Sequence, residues 1–367
     1  MFAILLSGGT ARAVPGNSSQ AIILIHADTG EILHAENADV RRLIASVTKI
    51  MTALVVIENN SPDEMVTIEH EHTAVIGSSM YLQVGKSYSV RDLLFGLMLA
   101  SGNDAATALA FHSAGGVLEF AQMMNNRAAQ MGLVNTSFKN PHGLDEEGHF
   151  STAADLAAIT REAMKNELFV EIVSTKFHTV GEQTLRNHNR LLWEYEGTLG
   201  VKTGFTRAAG RTLVSAAERN GMRLICVTLS APDDWRDHTS LFDWGFKNFE
   251  YINVLPMVNI GRIPLISGKV GSVGVIAPAD ARILKRPGDE VSFTVELPQF
   301  VYAGVREGEL AGRVFVSVNG ETRAEFPLIY AEDAEVADNI RLSPWARFRR
   351  TWFMSNRPSA GLGGTLP

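Results

Sequence analysis

A hydroxyl and an amine three residues apart are the first sign of chemistry in this chain. Ser46 and Lys49 lie in the run Ile44-Ala45-Ser46-Val47-Thr48-Lys49-Ile50-Met51-Thr52-Ala53. If that run opens a helix, the two polar side chains share one face. A serine hydroxyl is a weak nucleophile until a base takes its proton, and an unprotonated lysine can be that base. A free lysine ionises near about 10.4, so its surroundings must disfavour the ammonium. Burial and a second cation nearby would both do so. A serine at a helix N-terminus also has backbone N–H groups aimed at developing negative charge.

Two more patterns supply what the pair lacks. Ser101-Gly102-Asn103 offers a second hydroxyl and a carboxamide, and Lys202-Thr203-Gly204 offers a cation beside a hydroxyl. Each is weak alone: Ser317-Val318-Asn319 fits the Ser-x-Asn pattern too, inside a hairpin. Order and context carry the weight. Ser-x-x-Lys opens an apolar helix, Ser-x-Asn falls in a break between helices, and Lys-Thr-Gly precedes strand-like sequence, as expected of a sheet edge.

The elements around these motifs can be read from periodicity. Ala21–Ile25 is an apolar strand, Asp28-Thr29-Gly30 a turn and Glu31–His34 the return. The helix carrying Ser46 is apolar all round through Ile57, hence buried. Ser89 is a helix N-cap with Asp92 at the capping-box position; helices follow over Leu93–Leu99, Ala105–His112 and Val117–Met131, with Gly132 as C-cap. Thr152 or Ser151 caps Ala153–Asn166, Leu213–Ala217 and Arg223–Leu229 read as paired strands, and Trp235–Phe249 as a closing helix. From residue 256 helical periodicity gives way to short β runs. Val314, Val316 and Val318 alternate ahead of Asn319-Gly320, a type I′ hairpin signal.

Composition sets broad limits. The chain has 367 residues, 46% hydrophobic and 20% charged, with a formal net charge of −7, which gives no reason to expect nucleic-acid binding. That length suits two domains. The single cysteine, Cys226, excludes an intramolecular disulfide and lies in an apolar run that marks it as a small core residue. Phe2–Leu6 followed by Ala11-Arg12-Ala13 has the look of the end of a signal peptide, although a basic start is missing; a disordered tail is the other reading. Near the end, Trp345, Phe348 and Trp352 fall on one helix face, and Arg347, Arg349 and Arg350 lie off it. That is the pattern of an interfacial membrane helix, with docking onto the protein as the alternative.

Together the motifs resemble those of the low-molecular-weight penicillin-binding proteins, specifically the serine-type D-alanyl-D-alanine carboxypeptidases of peptidase S11 type. The resemblance extends over Leu99-Ala100-Ser101-Gly102-Asn103-Asp104-Ala105-Ala106, Asn140-Pro141-His142-Gly143-Leu144 and Gly200-Val201-Lys202-Thr203-Gly204-Phe205-Thr206. It is dense over residues 20–250. It implies an α/β (α+β) β-lactamase/transpeptidase-like catalytic domain, a small all-β domain and a C-terminal amphipathic helix. The expected boundaries are 1–16 for a signal remnant or disordered start, 17–255 for the catalytic domain, 256–335 for the β domain and 340–367 for the membrane-associating tail.

The resemblance also implies roles. Ser46 would form the acyl-enzyme, Lys49 would be its base and Ser101 would relay a proton to the leaving amine. Asn103 would hold the backbone of a peptidoglycan stem peptide, Lys202 and Thr203 its terminal carboxylate. The backbone N–H groups of Ser46 and of Phe205, just past Gly204, would form the oxyanion hole. An arginine often assists in relatives; Arg186 and Arg190 are both candidates. No cofactor and no metal are implied, β-lactams are expected ligands, and the expected location is the outer surface of the cytoplasmic membrane. Alternatives are a D,D-endopeptidase, a β-lactamase using Glu146 or Glu147 to hold water, and a non-catalytic wall scaffold. His70-Glu71-His72 reads as solvated strand positions, and His142 as structural.

Overall fold

The strand Ala21–His26 (β1) is buried at all six positions, because both faces of its sheet are covered. The structure is a computed structural model, and it describes residues 13–255, 259–277 and 281–337. Contacts divide the chain into two units that meet between Tyr251 and Ile252.

In the first unit, β1 turns back into Ile32–Glu36 (β2). The chain then forms a 3-10 turn, Ala45–Thr48, and the helix Lys49–Asn59 (α1). Ser46 therefore precedes the α-helix on the tighter turn, where the sequence suggests a helix's own first turn. Helices Val90–Leu99 (α2), Asn103–Ala114 (α3) and Val117–Gln130 (α4) follow. Ser89 caps α2 by accepting from the Asp92 backbone N–H at 3.0 Å. Ala153–Ala163 (α5) is capped in the same way by Thr152. The sequence reading misses Glu167–Ser174 (α6), capped by Asn166, and a hairpin over Phe177–Arg186.

Three long strands complete the sheet: Thr198–Thr206 (β3), Gly210–Arg219 (β4) and Met222–Leu229 (β5). The order is β2-β1-β5-β4-β3, antiparallel throughout, so the strand bearing Lys202 is an edge. Ala21, Ile23 and Ile25 of β1 and Ile225, Val227 and Leu229 of β5 enter the helical core with α1, α2 and α3. On the other face Leu24 and Leu224 lie against Gly245 of the closing helix Asp234–Asn248 (α7), where an added Cβ would meet Leu224 at 2.7 Å. Cys226 is fully buried.

The second unit contains a six-stranded sheet built from Asn259–Ile266 (β6), Ser272–Ile276 (β7), Val291–Glu296 (β8), Val301–Tyr302 (β9), Leu310–Val318 (β10) and Glu321–Tyr330 (β11). Its order is β8-β10-β11-β7-β6-β9. Val314, Val316 and Val318 are buried, as their alternation requires. Asn319 and Gly320 both take positive φ, 52° and 84°, as a type I′ turn demands. Residues 1–12 of the signal-peptide reading and the interfacial helix around Pro344–Phe353 lie outside the described residues.

Candidate active site

The three motifs converge. Lys49 is fully buried, and its Nζ lies 3.1 Å from Ser46 Oγ. It also donates to Asn103 Oδ1 at 2.7 Å and to the His142 carbonyl at 2.7 Å. These last two partners only accept. A neutral amine has two N–H groups and one lone pair, so satisfying both acceptors leaves the lone pair for the Ser46 hydroxyl. The geometry fits proton transfer from serine to lysine. Burial holds the Lys49 amine well below its ordinary pKa; the Lys202 charge adds to this, and Asp104 opposes it.

Lys202 is 1% exposed, and burial pushes it down to about 7. Its Nζ donates to the Thr203 carbonyl at 2.8 Å. Strand β3 meets the nucleophile turn at Gly204: a Cβ there would fall 2.9 Å from the Ser46 backbone nitrogen and 2.4 Å from Thr212 Oγ1. Thr212 donates in turn to the Ile44 carbonyl at 3.1 Å, fixing the turn to the sheet. Thr203 is half-buried, and the Phe205 side chain is 65% exposed.

Two non-glycine residues with left-handed backbone flank the chemistry. Ala45, just before the nucleophile, has φ 49°, and Ser101 has φ 59°. Such positions cost on the order of 1 kcal/mol and persist where the surroundings over-determine them. Ser101 is buried in the break between α2 and α3, where the sequence places it. Asn103 opens α3; its Nδ2 donates to the Ile76 carbonyl at 2.6 Å, leaving one amide proton for another acceptor.

The Asn-Pro-His-Gly loop belongs to the motif pattern read from the sequence, but its contact with Lys49 is not one a side-chain pattern reveals. Its contribution to Lys49 is a backbone carbonyl. Thr52 donates to the Pro141 carbonyl at 2.6 Å, and the Gly143 N–H donates to Asn140 Oδ1 at 2.8 Å. Gly143 has φ +88°, and a Cβ there would fall 2.0 Å from the Ala45 carbonyl oxygen, so no side chain fits. Beneath the turn, Thr48 donates to the Ala45 carbonyl at 2.8 Å, and His149 Nε2 lies 2.8 Å from the Thr48 hydroxyl. Since that hydroxyl's proton is used and His149 Nδ1 accepts from the Lys139 N–H, His149 is the neutral Nε2–H tautomer. Burial lowers it to about 4, in agreement. The loop's other end meets the edge strand, where Thr206 donates to Asp145 at 2.9 Å.

Other candidates are placed differently. Arg190 pairs with Glu194 at 2.5 Å, and the Arg186 guanidinium lies 5.1 Å over the Trp193 ring. Glu146 and Glu147 are exposed, and Glu146 accepts from Asn140 Nδ2 at 3.1 Å. His70-Glu71-His72 forms a helical turn over His70–Thr73, not a strand, and His72 is buried, not solvated. Its Nδ1 accepts from the Glu69 N–H, and its ring packs against Phe111; the four-residue turn satisfies itself locally. The His142 ring is buried and neutral, lowered to about 3 chiefly by burial.

The profile of the Peptidase_S11 family, described as D-alanyl-D-alanine carboxypeptidase, matches residues 9–233. The chain is 32% identical over 356 residues to D-alanyl-D-alanine carboxypeptidase DacF of Bacillus subtilis, covering 91% of each chain. It is 36% identical over 349 residues to DacC of Escherichia coli, covering 88% of this chain and 85% of that one. Among solved structures, penicillin binding protein 5 from Haemophilus influenzae superposes with a TM-score of 0.73 at 34% identity, covering 88% of this chain and 99% of that one.

Proposed function

Because the chain belongs to the Peptidase_S11 family of D-alanyl-D-alanine carboxypeptidases, a family of serine-type hydrolases, we propose that Ser46 is its acyl-forming nucleophile and Lys49 the base that activates it. The substrate is a peptidoglycan stem peptide ending in D-Ala-D-Ala. Lys49 takes the Ser46 proton as Oγ attacks the carbonyl between the two D-alanines. The backbone N–H groups of Ser46 and Phe205 stabilise the oxyanion. Ser101 passes the proton to the departing amine, terminal D-Ala leaves, and water then hydrolyses the ester with Lys49 again as base. Lys202 and Thr203 hold the terminal carboxylate, a task for a cation and a hydroxyl, and Asn103 directs its remaining amide proton to the stem backbone.

The single observation that carries this reading is the Lys49 amine, buried 3.1 Å from Ser46 Oγ with two pure acceptors on its protons. β-Lactams would acylate the same serine. A β-lactamase would need a carboxylate holding water, and Glu146 and Glu147 are exposed, so nothing favours that alternative. Residues 17–255 are read as the catalytic domain, 256–335 as an accessory β domain and 340–367 as a tail that attaches the enzyme to the outer face of the cytoplasmic membrane. The test is product analysis on a pentapeptide stem. Release of free D-Ala is expected; cleavage of cross-linked dimers with pentapeptide left intact would make it an endopeptidase.

A further inference from the structure

Asp104, the residue after the Ser-Gly-Asn motif, is 3% exposed and forms no ion pair with any described residue. Instead four donors converge on its carboxylate. Oδ1 accepts from the backbone N–H groups of Met80 at 3.0 Å and Ala105 at 2.9 Å. Oδ2 accepts from the Ser79 hydroxyl at 2.6 Å and the Leu82 N–H at 3.1 Å. The Ser79 hydroxyl itself accepts from the Tyr81 N–H at 2.8 Å. Three successive N–H groups, of residues 80 to 82, are thus gathered onto one carboxylate, directly or through Ser79. Acceptors alone satisfy four donors, so this is a carboxylate's environment and not a carboxylic acid's.

The gathered segment is the one that holds the site. The Ser78 carbonyl accepts from the Asn103 N–H at 2.7 Å, and the Ile76 carbonyl accepts from Asn103 Nδ2 at 2.6 Å. Asn103 Oδ1 then receives the Lys49 amine. The backbone of Gly102 is pressed against the same knot: a Cβ there would lie 2.9 Å from Asp104 Oδ1 and 3.2 Å from the Met80 nitrogen. We propose that Asp104 is a positioning residue for the reaction, which orients Asn103 and the Ser101 turn by gathering residues 79–82 onto its carboxylate and sets the electrostatic environment of the Lys49 amine.

The charge has a separate consequence. Three titratable groups face Lys49 from three elements: Lys202 from β3, Asp104 from α3 and His142 from the loop. His142 is neutral, and Lys202 disfavours the ammonium. Asp104 is the negative group of the three, opposing burial and Lys202. Its charge raises the basicity of an amine that burial and Lys202 lower, and a base must hold some basicity to accept a serine proton.

The experiment measures the second-order rate of acylation by a labelled neutral ester that lacks a carboxylate, so that loss of the Lys202 proton at about 7 does not shape the profile. It is run between about pH 5 and pH 9, on the full chain and on Asp104→Asn and Ser79→Ala. The rate rises with pH as Lys49 loses its proton. Removing the Asp104 charge lowers that pKa, so in Asp104→Asn the rise moves to lower pH by about half a unit or more, and the plateau falls at least about tenfold. Ser79→Ala keeps the charge and loosens the knot; its plateau falls about threefold or more, with the pH of the rise unchanged. An Asp104→Asn profile at the wild-type pH overturns the proposal. So does Ser79→Ala at the wild-type rate, which decides the matter if Asp104→Asn does not fold. The proposal rests on Lys49 being the base; that reading fails separately, if the wild-type chain is not acylated or if Ser46→Ala still takes the label.

Discussion

The two units bury different kinds of side chain. In the second unit the described core is Val, Ile, Leu, Ala and Tyr, and no charged side chain among its described residues is buried. In the first unit two lysines, three aspartates and several histidines lie below the surface. Some are structural: Asp234 pairs with Arg211, and His238 bridges Ser215 and Thr228 across the sheet. Among the described residues Lys49 and Lys202 have no carboxylate in an ion pair, and each donates to a backbone carbonyl instead. Burying an unpaired amine opposes folding unless its proton leaves. The β unit shows that this chain can form a core without such groups. If Lys49 and Lys202 act as proposed, their presence in the first unit marks where stability is exchanged for chemistry.

The largest expected effect tests the buried amine itself. Lys49→Ala should lower D-Ala release by at least about 10³-fold, measured on a pentapeptide stem. Retention of more than a tenth of the activity would remove the reason for the contrast between the units. The second lysine should act through binding. Lys202→Ala should cost about 10²-fold in kcat/KM, mostly in KM, because a carboxylate loses its cationic partner. The wild-type pH dependence has a definite sign: as pH rises through about 7, Lys202 loses its proton, so KM should rise while acylation by a neutral ester lacking the carboxylate should not fall. A flat KM between pH 6 and pH 9 would assign the carboxylate to another group.

The β unit should respond in the opposite way. Val316→Ala, in its buried alternation, should destabilise that unit by about 1–3 kcal/mol in a denaturant titration, with D-Ala release within about twofold of wild type. A large loss of activity would show that the two units share more than a chain. The smallest effect concerns the arginines. Arg190 is held by Glu194 on the surface, so Arg190→Ala should change KM less than about twofold. A larger change would assign it to the carboxylate after all.

Much of this was legible where side-chain type and spacing carry the signal. The Ser46/Lys49 spacing, the caps at Ser89 and Thr152, the unbroken apolar run of β1 and the Asn319-Gly320 turn each follow from local rules. The expectation that burial and Lys202 would depress Lys49 agrees with the site's electrostatics. Other parts of the site depend on backbone. The His142 carbonyl on Lys49 and the positive φ of Ala45 and Ser101 cannot be seen in a motif. Asp104 looks like any acidic residue in a helix's first turn until its four donors come into view. Helix α6 is only eight residues long, too short for periodicity to stand out, although Asn166 ahead of Glu167 was a usable start signal. His72 misled because alternating polar residues fit a solvated strand as well as a short helical turn.

The central claim is that Ser46 is the residue acylated. Peptide mapping by mass spectrometry after exposure to penicillin tests it directly. The account predicts one penicilloyl group, on the peptide containing Ser46, and none on Ser46→Ala. A label on any other residue, or on the Ser46→Ala protein, would contradict it.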